Sequence, residues 1–154
     1  MLKLFIFFPF FALASNVYTL PQENHYFVYS FTKSLKEAQK EVNIFTHTLN
    51  EYSIVHAIKQ LSKRGLIINI FTKDMYQKDS QISYLSLLKG VHIFTLKHKN
   101  IKGSFTCIDD KEMYLSSQDL SYKNLRQDHA FVIHEQRSCI KIFINLKKNA
   151  LKII

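Results

Sequence analysis

The sequence predicts an α/β fold, one mixed β-sheet flanked by helices on both faces, and three observations predict it. From residue 25 onward short apolar runs alternate with amphipathic stretches, without repeats, low-complexity tracts or a Pro/Gly/Ser linker. Leu66–Phe71 is almost continuously apolar, as a parallel strand buried on both faces should be. Two later apolar runs, Ser104–Ile108 and Met113–Ser117, flank the polar turn Asp109-Asp110-Lys111-Glu112, the pattern of an antiparallel pair. Parallel and antiparallel neighbours together make the sheet mixed.

Taken in order, Met1–Lys3 gives a short basic start, Leu4–Ala14 is apolar apart from Pro9, and Ala12-Leu13-Ala14 ends on small residues. This is the pattern of a secretory signal peptide over residues 1–14. The run falls short of the roughly twenty residues of a spanning helix, so no stable membrane anchor is expected. A single domain over 15–154 follows. His25–Tyr29 reads as a short strand and Phe31–Lys40 as a helix with Phe31, Leu35 and Ala38 on one side. Val42–Leu49 reads as the next strand. Asn50 then caps a helix through Arg64, with Ile54, Ile58 and Leu61 in register and Gly65 at the left-handed C-terminal position.

Beyond the strand at Leu66–Phe71, Gln81–Lys89 reads as a helix closed by Gly90, and Val91–Leu96 as a strand. After the hairpin, Ser121–Arg126 is a loop or short helix and Ala130–His134 a strand. Cys139, Phe143, Leu146 and Ala150 mark the stripe of a terminal helix.

The 154 residues suffice for one core, and 47% hydrophobic content excludes a disordered chain. Lys and Arg number 21 against 12 Asp and Glu, a formal charge of +9 that predisposes the surface to polyanions. Codon bias is an equally good source of that charge. For an exported chain, Cys107 and Cys139 fit either one disulfide or two buried thiols, and neither has the spaced companions of a metal site.

The segments Glu41-Val42-Asn43-Ile44-Phe45, Ala57-Ile58 and Lys63-Arg64-Gly65-Leu66-Ile67-Ile68-Asn69-Ile70 lead to a resemblance. With Ile101–Lys111, Ser116-Ser117-Gln118-Asp119-Leu120-Ser121 and Gln127–Ile133, they resemble the phospholipase D superfamily, in particular its small exported single-motif endonucleases. The resemblance covers nearly the whole chain after residue 14. It implies a phospholipase D-like fold and a phosphodiesterase that uses neither metal nor cofactor. A single motif supplies half of the family's site, which implies a homodimer. It also implies that Lys102, Ser104 and Asp109 stand at the catalytic positions of the family's His-x-Lys-x-x-x-x-Asp motif. Ser117 and Asp119, with Lys102, stand at phosphate-contacting positions.

The family's His attacks phosphorus and its Lys holds the phosphate oxygens. Lys102 in the place of the His departs from that chemistry, because an amine with a reference pKa of about 10.4 is protonated near neutral pH and is not a nucleophile. His98, His47 and His129 are the imidazoles available as surrogate bases. Lys97, Lys99, Lys123 and Arg126 form a basic rim suited to the nucleic acid backbone, and Tyr114 and Tyr122 are candidate base-stacking residues.

The expectation is therefore a periplasmic or secreted phospholipase D-like domain of the nuclease branch. Its partner is nucleic acid, DNA first, or another phosphodiester. The alternatives are a non-catalytic extracytoplasmic DNA-binding protein and a phospholipid headgroup phosphodiesterase.

Overall fold

The computed structural model describes residues 15–96 and 101–153. One element near the start changes type. His25–Tyr29 is not a strand but the opening of helix α1 (Asn24–Glu37). A five-residue apolar run has no decisive period by itself. Here it continues into one: Phe27, Phe31 and Leu35 stand four apart and are fully buried, with the two rings stacked 5.6 Å apart. The strand lies earlier, at β1 (Ser15–Leu20).

The order then runs β2 (Glu41–Phe45), α2 (Tyr52–Lys63), β3 (Ile67–Thr72), α3 (Ile82–Leu85), β4 (Val91–Thr95), β5 (Ser104–Ile108), β6 (Glu112–Ser116), α4 (Tyr122–Gln127), β7 (Ala130–Gln136), α5 (Ile140–Lys148) and β8 (Leu151–Lys152). The strands form one mixed sheet in the order β1-β7-β6-β5-β2-β3-β4-β8. Only β2, β3 and β4 are mutually parallel. Their C-terminal ends, the start of β5 and the end of β6 therefore meet at one edge of the sheet, called the upper edge below.

Several boundaries differ from those the sequence predicts. β2 stops at Phe45, because the Thr46 hydroxyl takes the Leu120 N–H at 3.2 Å and turns the chain out of the ladder. Asn50 does not cap α2, whose N-cap is Glu51. Its carboxamide instead donates to the Asp79 carbonyl and accepts from the Tyr122 N–H, both at 2.7 Å, tying three loops together. The helix expected over Gln81–Lys89 is regular only at Ile82–Leu85. Gly65 takes the left-handed φ of +80° expected after α2. Past α5 the chain adds the two-residue strand β8 against β4, which the sequence reading did not include.

Two hydrophobic layers sandwich the sheet. Helices α1 to α4 cover one face, where Phe27, Phe31, Ile54, Ile58, Ile82 and Leu125 pack on the strands. α5 covers part of the other face, with Phe143 5.2 Å from both Phe71 and Phe105. Of the two states open for the cysteines, the structure has the disulfide: Cys107 on β5 is bonded to Cys139 at the foot of α5.

Two adjacent aspartates organise the lower edge. Asp109 accepts the backbone N–H groups of Gln39, Lys40 and Glu41 at 2.7, 2.8 and 3.1 Å. Asp110 accepts from the Cys139 and Ile140 amides and the Ser138 hydroxyl at 2.7 to 2.8 Å, which caps α5. Burial pulls the Asp109 carboxyl upward, but those three amides and Lys111 outweigh it and hold it below the ordinary carboxylate range.

Candidate functional site

The upper edge gathers the loops after β2, β3 and β6 and the approach to β5. Gly103 fixes their spacing. Its φ is +82°, and a Cβ there would stand 2.2 Å from the Ser116 carbonyl oxygen, so only glycine lets the start of β5 approach the end of β6 so closely. Lys102 precedes it with its side chain exposed. Ser104 follows, buried, and its hydroxyl donates to the Gln118 carbonyl at 2.9 Å. Lys102 is thus open to a ligand, while Ser104 is already engaged within the fold.

Asp119 and His47 stand beside this pair. The Asp119 carboxylate accepts the His47 backbone N–H at 3.1 Å and lies 3.4 Å from the Thr46 hydroxyl. Burial raises its carboxyl above the ordinary range, against the lowering influence of the His47 amide and ring, Thr46 and Lys73. The His47 imidazole packs edge-on against Phe45 and bonds the Ile101 carbonyl through Nε2 at 2.5 Å. A carbonyl only accepts, so Nε2 donates this bond, and Nδ1 is buried without a hydrogen-bond partner among the described residues.

The remaining predicted residues distribute unevenly. Ser117 is exposed next to Gln118, its hydroxyl accepting the Phe131 N–H at 3.2 Å. Lys123 and His129 are exposed around α4. Arg126 is not a free cation: its guanidinium pairs with the buried Glu51 and stacks 3.9 Å over the Tyr122 ring. Asp109 lies at the far end of β5, roughly 16 Å from Ser104 at ~3.3 Å per residue, and shapes the lower edge instead. Tyr114 is buried under α1, stacked 4.2 Å from His134, and does not reach a base; Tyr122 is exposed. Lys97, His98 and Lys99 lie outside the described residues.

The sequence reading missed three contributors: Thr46, Gln118 and Glu51. Thr46 and Gln118 act through ordinary polar atoms that carry no motif. Glu51 had a signal, being an acidic residue directly ahead of an amphipathic helix in an acid-poor chain.

The family model described as "Cardiolipin synthase, PLD-like domain" matches residues 31–148. The chain belongs to the PLD-like family. Among solved structures, this PLD-like chain is similar to NucT from Helicobacter pylori, with TM-score 0.75, 20% identity, and coverage of 92% of this chain and 99% of that one. It is also similar to Nuc from Salmonella typhimurium, a phospholipase D family member, with TM-score 0.71, 10% identity, and 91% and 97% coverage. The phosphatidylserine synthase of Haemophilus influenzae gives TM-score 0.63 at 12% identity, over 92% of this chain and 40% of that one. No curated protein sequence matches. The expected mixed α/β sheet with helices on both faces is the fold observed. Among the described residues no helix is long and apolar enough to cross a membrane.

Proposed function

We propose that this PLD-like domain belongs to the nuclease branch and binds the phosphodiester backbone of nucleic acid, DNA first, at its upper edge, with little or no turnover. One observation carries the reading. At the position of the family's nucleophile stands an exposed amine, Lys102, and at the position of the family's lysine stands Ser104, whose hydroxyl is bonded to Gln118. An ammonium attracts a phosphate but does not attack it. Ser117 and Lys123 extend the contact surface, and the net charge favours a polyanion. NucT and Nuc support the nucleic acid assignment over a lipid headgroup, since each spans nearly the same length as this chain.

Two copies are proposed to pair. On the face of the sheet that α5 leaves uncovered, Val17, Leu115 and Phe131 are 40 to 60% exposed, and Ile133 lies between Val17 and Leu115 in the strand register. An apolar stripe of this kind favours self-association. Residues 1–14 are proposed as a leader removed before Ser15, giving a periplasmic or secreted domain.

A second reading rests on His47. Its Nδ1 has no hydrogen-bond partner among the described residues, and its ring is tied to the loop that carries Lys102, which puts an imidazole beside the position where the motif lacks one.

The deciding experiment measures DNA binding and cleavage in EDTA for the protein and for a Lys102→His/Ser104→Lys variant. Salt-sensitive binding without product, and cleavage by the variant, is the expected pair. Cleavage by the natural protein that is lost in His47→Gln establishes the second reading instead. Absence of salt-sensitive binding overturns both.

A further inference from the structure

Tyrosines crowd a part of the surface that the phosphodiester contacts leave unused. β1, β2 and β6 all end at the upper edge, so α1, α2 and α4, the helices that follow them, all start there. Four of the chain's eight tyrosines lie in the first two turns of these helices: Tyr26 and Tyr29 on α1, Tyr52 on α2 and Tyr122 on α4. Each is more than half exposed, from 56% for Tyr122 to 76% for Tyr52. Single apolar residues on a surface are ordinary, but four rings gathered from three helices keep a large apolar area in water with no gain to the core.

The rings belong to one connected patch. Arg126 stacks 3.9 Å over Tyr122 and pairs with Glu51, the residue directly before Tyr52. The His56 ring stands 6.1 Å from Tyr52 and 24° from parallel to it. On both helices a flat side chain four residues on thus backs one face of the tyrosine, and the exposure of each ring leaves its other face open. Between these groups and α1 lies a cleft of about 230 Å3, lined by His25 and Tyr29 on one side and by Glu51, Ser53 and Arg126 on the other. His25, Tyr29 and Ser53 are exposed along it, so its aromatic wall is open to solvent. The carboxylates at the helix starts are engaged, Glu51 with Arg126 and Glu23 with the Thr19 N–H and hydroxyl at 2.6 and 2.7 Å. Lys123, next to Tyr122, is exposed, and the Asn124 carboxamide donates to the Gln118 side chain at 3.4 Å. The Gln118 carbonyl in turn holds Ser104. The tyrosine patch therefore continues the surface of Lys102 and Ser117.

We infer that Tyr29, Tyr52 and Tyr122 form a stacking platform for the unpaired bases of a nucleic acid strand whose phosphates are held at the upper edge. This depends on phosphodiester binding at Lys102, as proposed above, and adds a second subsite on the helix face. Every base has a flat π-face, so such rings accept bases without regard to sequence. The bases are joined covalently to the phosphates. A strand seated on Lys102, Ser117 and Lys123 brings its bases to Tyr122 first, and Tyr52 and Tyr29 take those that follow.

The test compares two fluorescein-labelled strands of equal length by anisotropy over a range of salt: oligothymidylate, and an abasic strand with the same phosphates. Both carry phosphorothioate linkages to slow any cleavage. Oligothymidylate binds about tenfold or more tightly than the abasic strand. Tyr29→Ala/Tyr52→Ala removes most of that difference and leaves the abasic affinity unchanged. Tyr29→Phe/Tyr52→Phe keeps the difference, because stacking needs the ring and not the hydroxyl. Equal, salt-dependent binding of the two strands overturns the inference and spares the phosphodiester reading. A difference that survives the alanine pair, or that the phenylalanine pair loses, also overturns it. Binding that is absent or indifferent to salt for both strands overturns the phosphodiester reading and the platform with it.

Discussion

At the scale of single residues, Asp119 separates phosphate affinity from chemistry. In the family segment it resembles, a neutral Asn occupies this position, and burial raises the Asp119 carboxyl toward its own neutral form. Below its pKa the group is uncharged and tolerates a bound phosphate; as pH rises through that pKa the carboxylate appears and repels it. DNA affinity, measured by fluorescence anisotropy across pH at fixed salt, therefore falls as pH rises, and Asp119→Asn flattens the profile and tightens binding on its alkaline side. Gly103 makes a second residue-scale prediction. Gly103→Ala meets the Ser116 carbonyl at 2.2 Å and forces a left-handed φ on a residue with a Cβ. It should cost about 1–3 kcal/mol in a denaturant titration and loosen the Lys102 loop. Neither residue's role was readable from composition. Asp119 was visible only as a departure from the family pattern, and Gly103 as one of three glycines in the chain.

At the scale of elements, α5 depends on two attachments, Asp110 at its N-terminus and the Cys107–Cys139 bond beside it. The cysteines are 32 residues apart, and closing a loop of that length stabilises the fold by about 3–4 kcal/mol on chain-entropy grounds. Replacing both with serine should lower the thermal midpoint and raise amide exchange in α5 before the rest of the domain, as hydrogen exchange by mass spectrometry will read. The elements also explain what the sequence concealed. α2 and β3 were legible because their apolar spacing is unambiguous and Gly65 punctuates them. His25–Tyr29 was not, since five apolar and aromatic residues satisfy a strand as well as a helix, and only packing of Phe27 on Phe31 and Tyr114 decides it. β1 escaped notice because five of its six residues are partly or largely exposed and it has no alternating pattern. The loop at Thr46–Asn50 is irregular because hydroxyl and carboxamide bonds to distant segments overrule a strand-like sequence.

For the whole molecule, stability should fall in acid from carboxylates grouped at the β5–β6 turn, which tie it to three different segments. Asp109, Asp110 and Glu112 all have carboxyls held below the ordinary range. In Asp110 the Ile140 amide is the largest influence; in Glu112 burial acts upward and is outweighed by His134 and Ser34. A group with a depressed folded pKa contributes stability that is complete above its unfolded pKa and is lost as pH falls through the folded value. Denaturant midpoints should therefore hold steady near neutrality and drop below the usual carboxylate range, and Asp109→Asn should remove part of that drop. Asp119, raised rather than lowered, acts with the opposite sign and is favoured in acid. The strand order has a further consequence for how the chain comes to be. β1 lies at the start of the described chain and pairs with β7, which ends at Gln136, and Cys107 waits for Cys139. During synthesis from the N-terminus, both closures are postponed until residues 130–139 have emerged. A product interrupted before residue 139 would keep every strand up to β7 yet leave Cys107 without its partner thiol and the Phe71 layer without its lid.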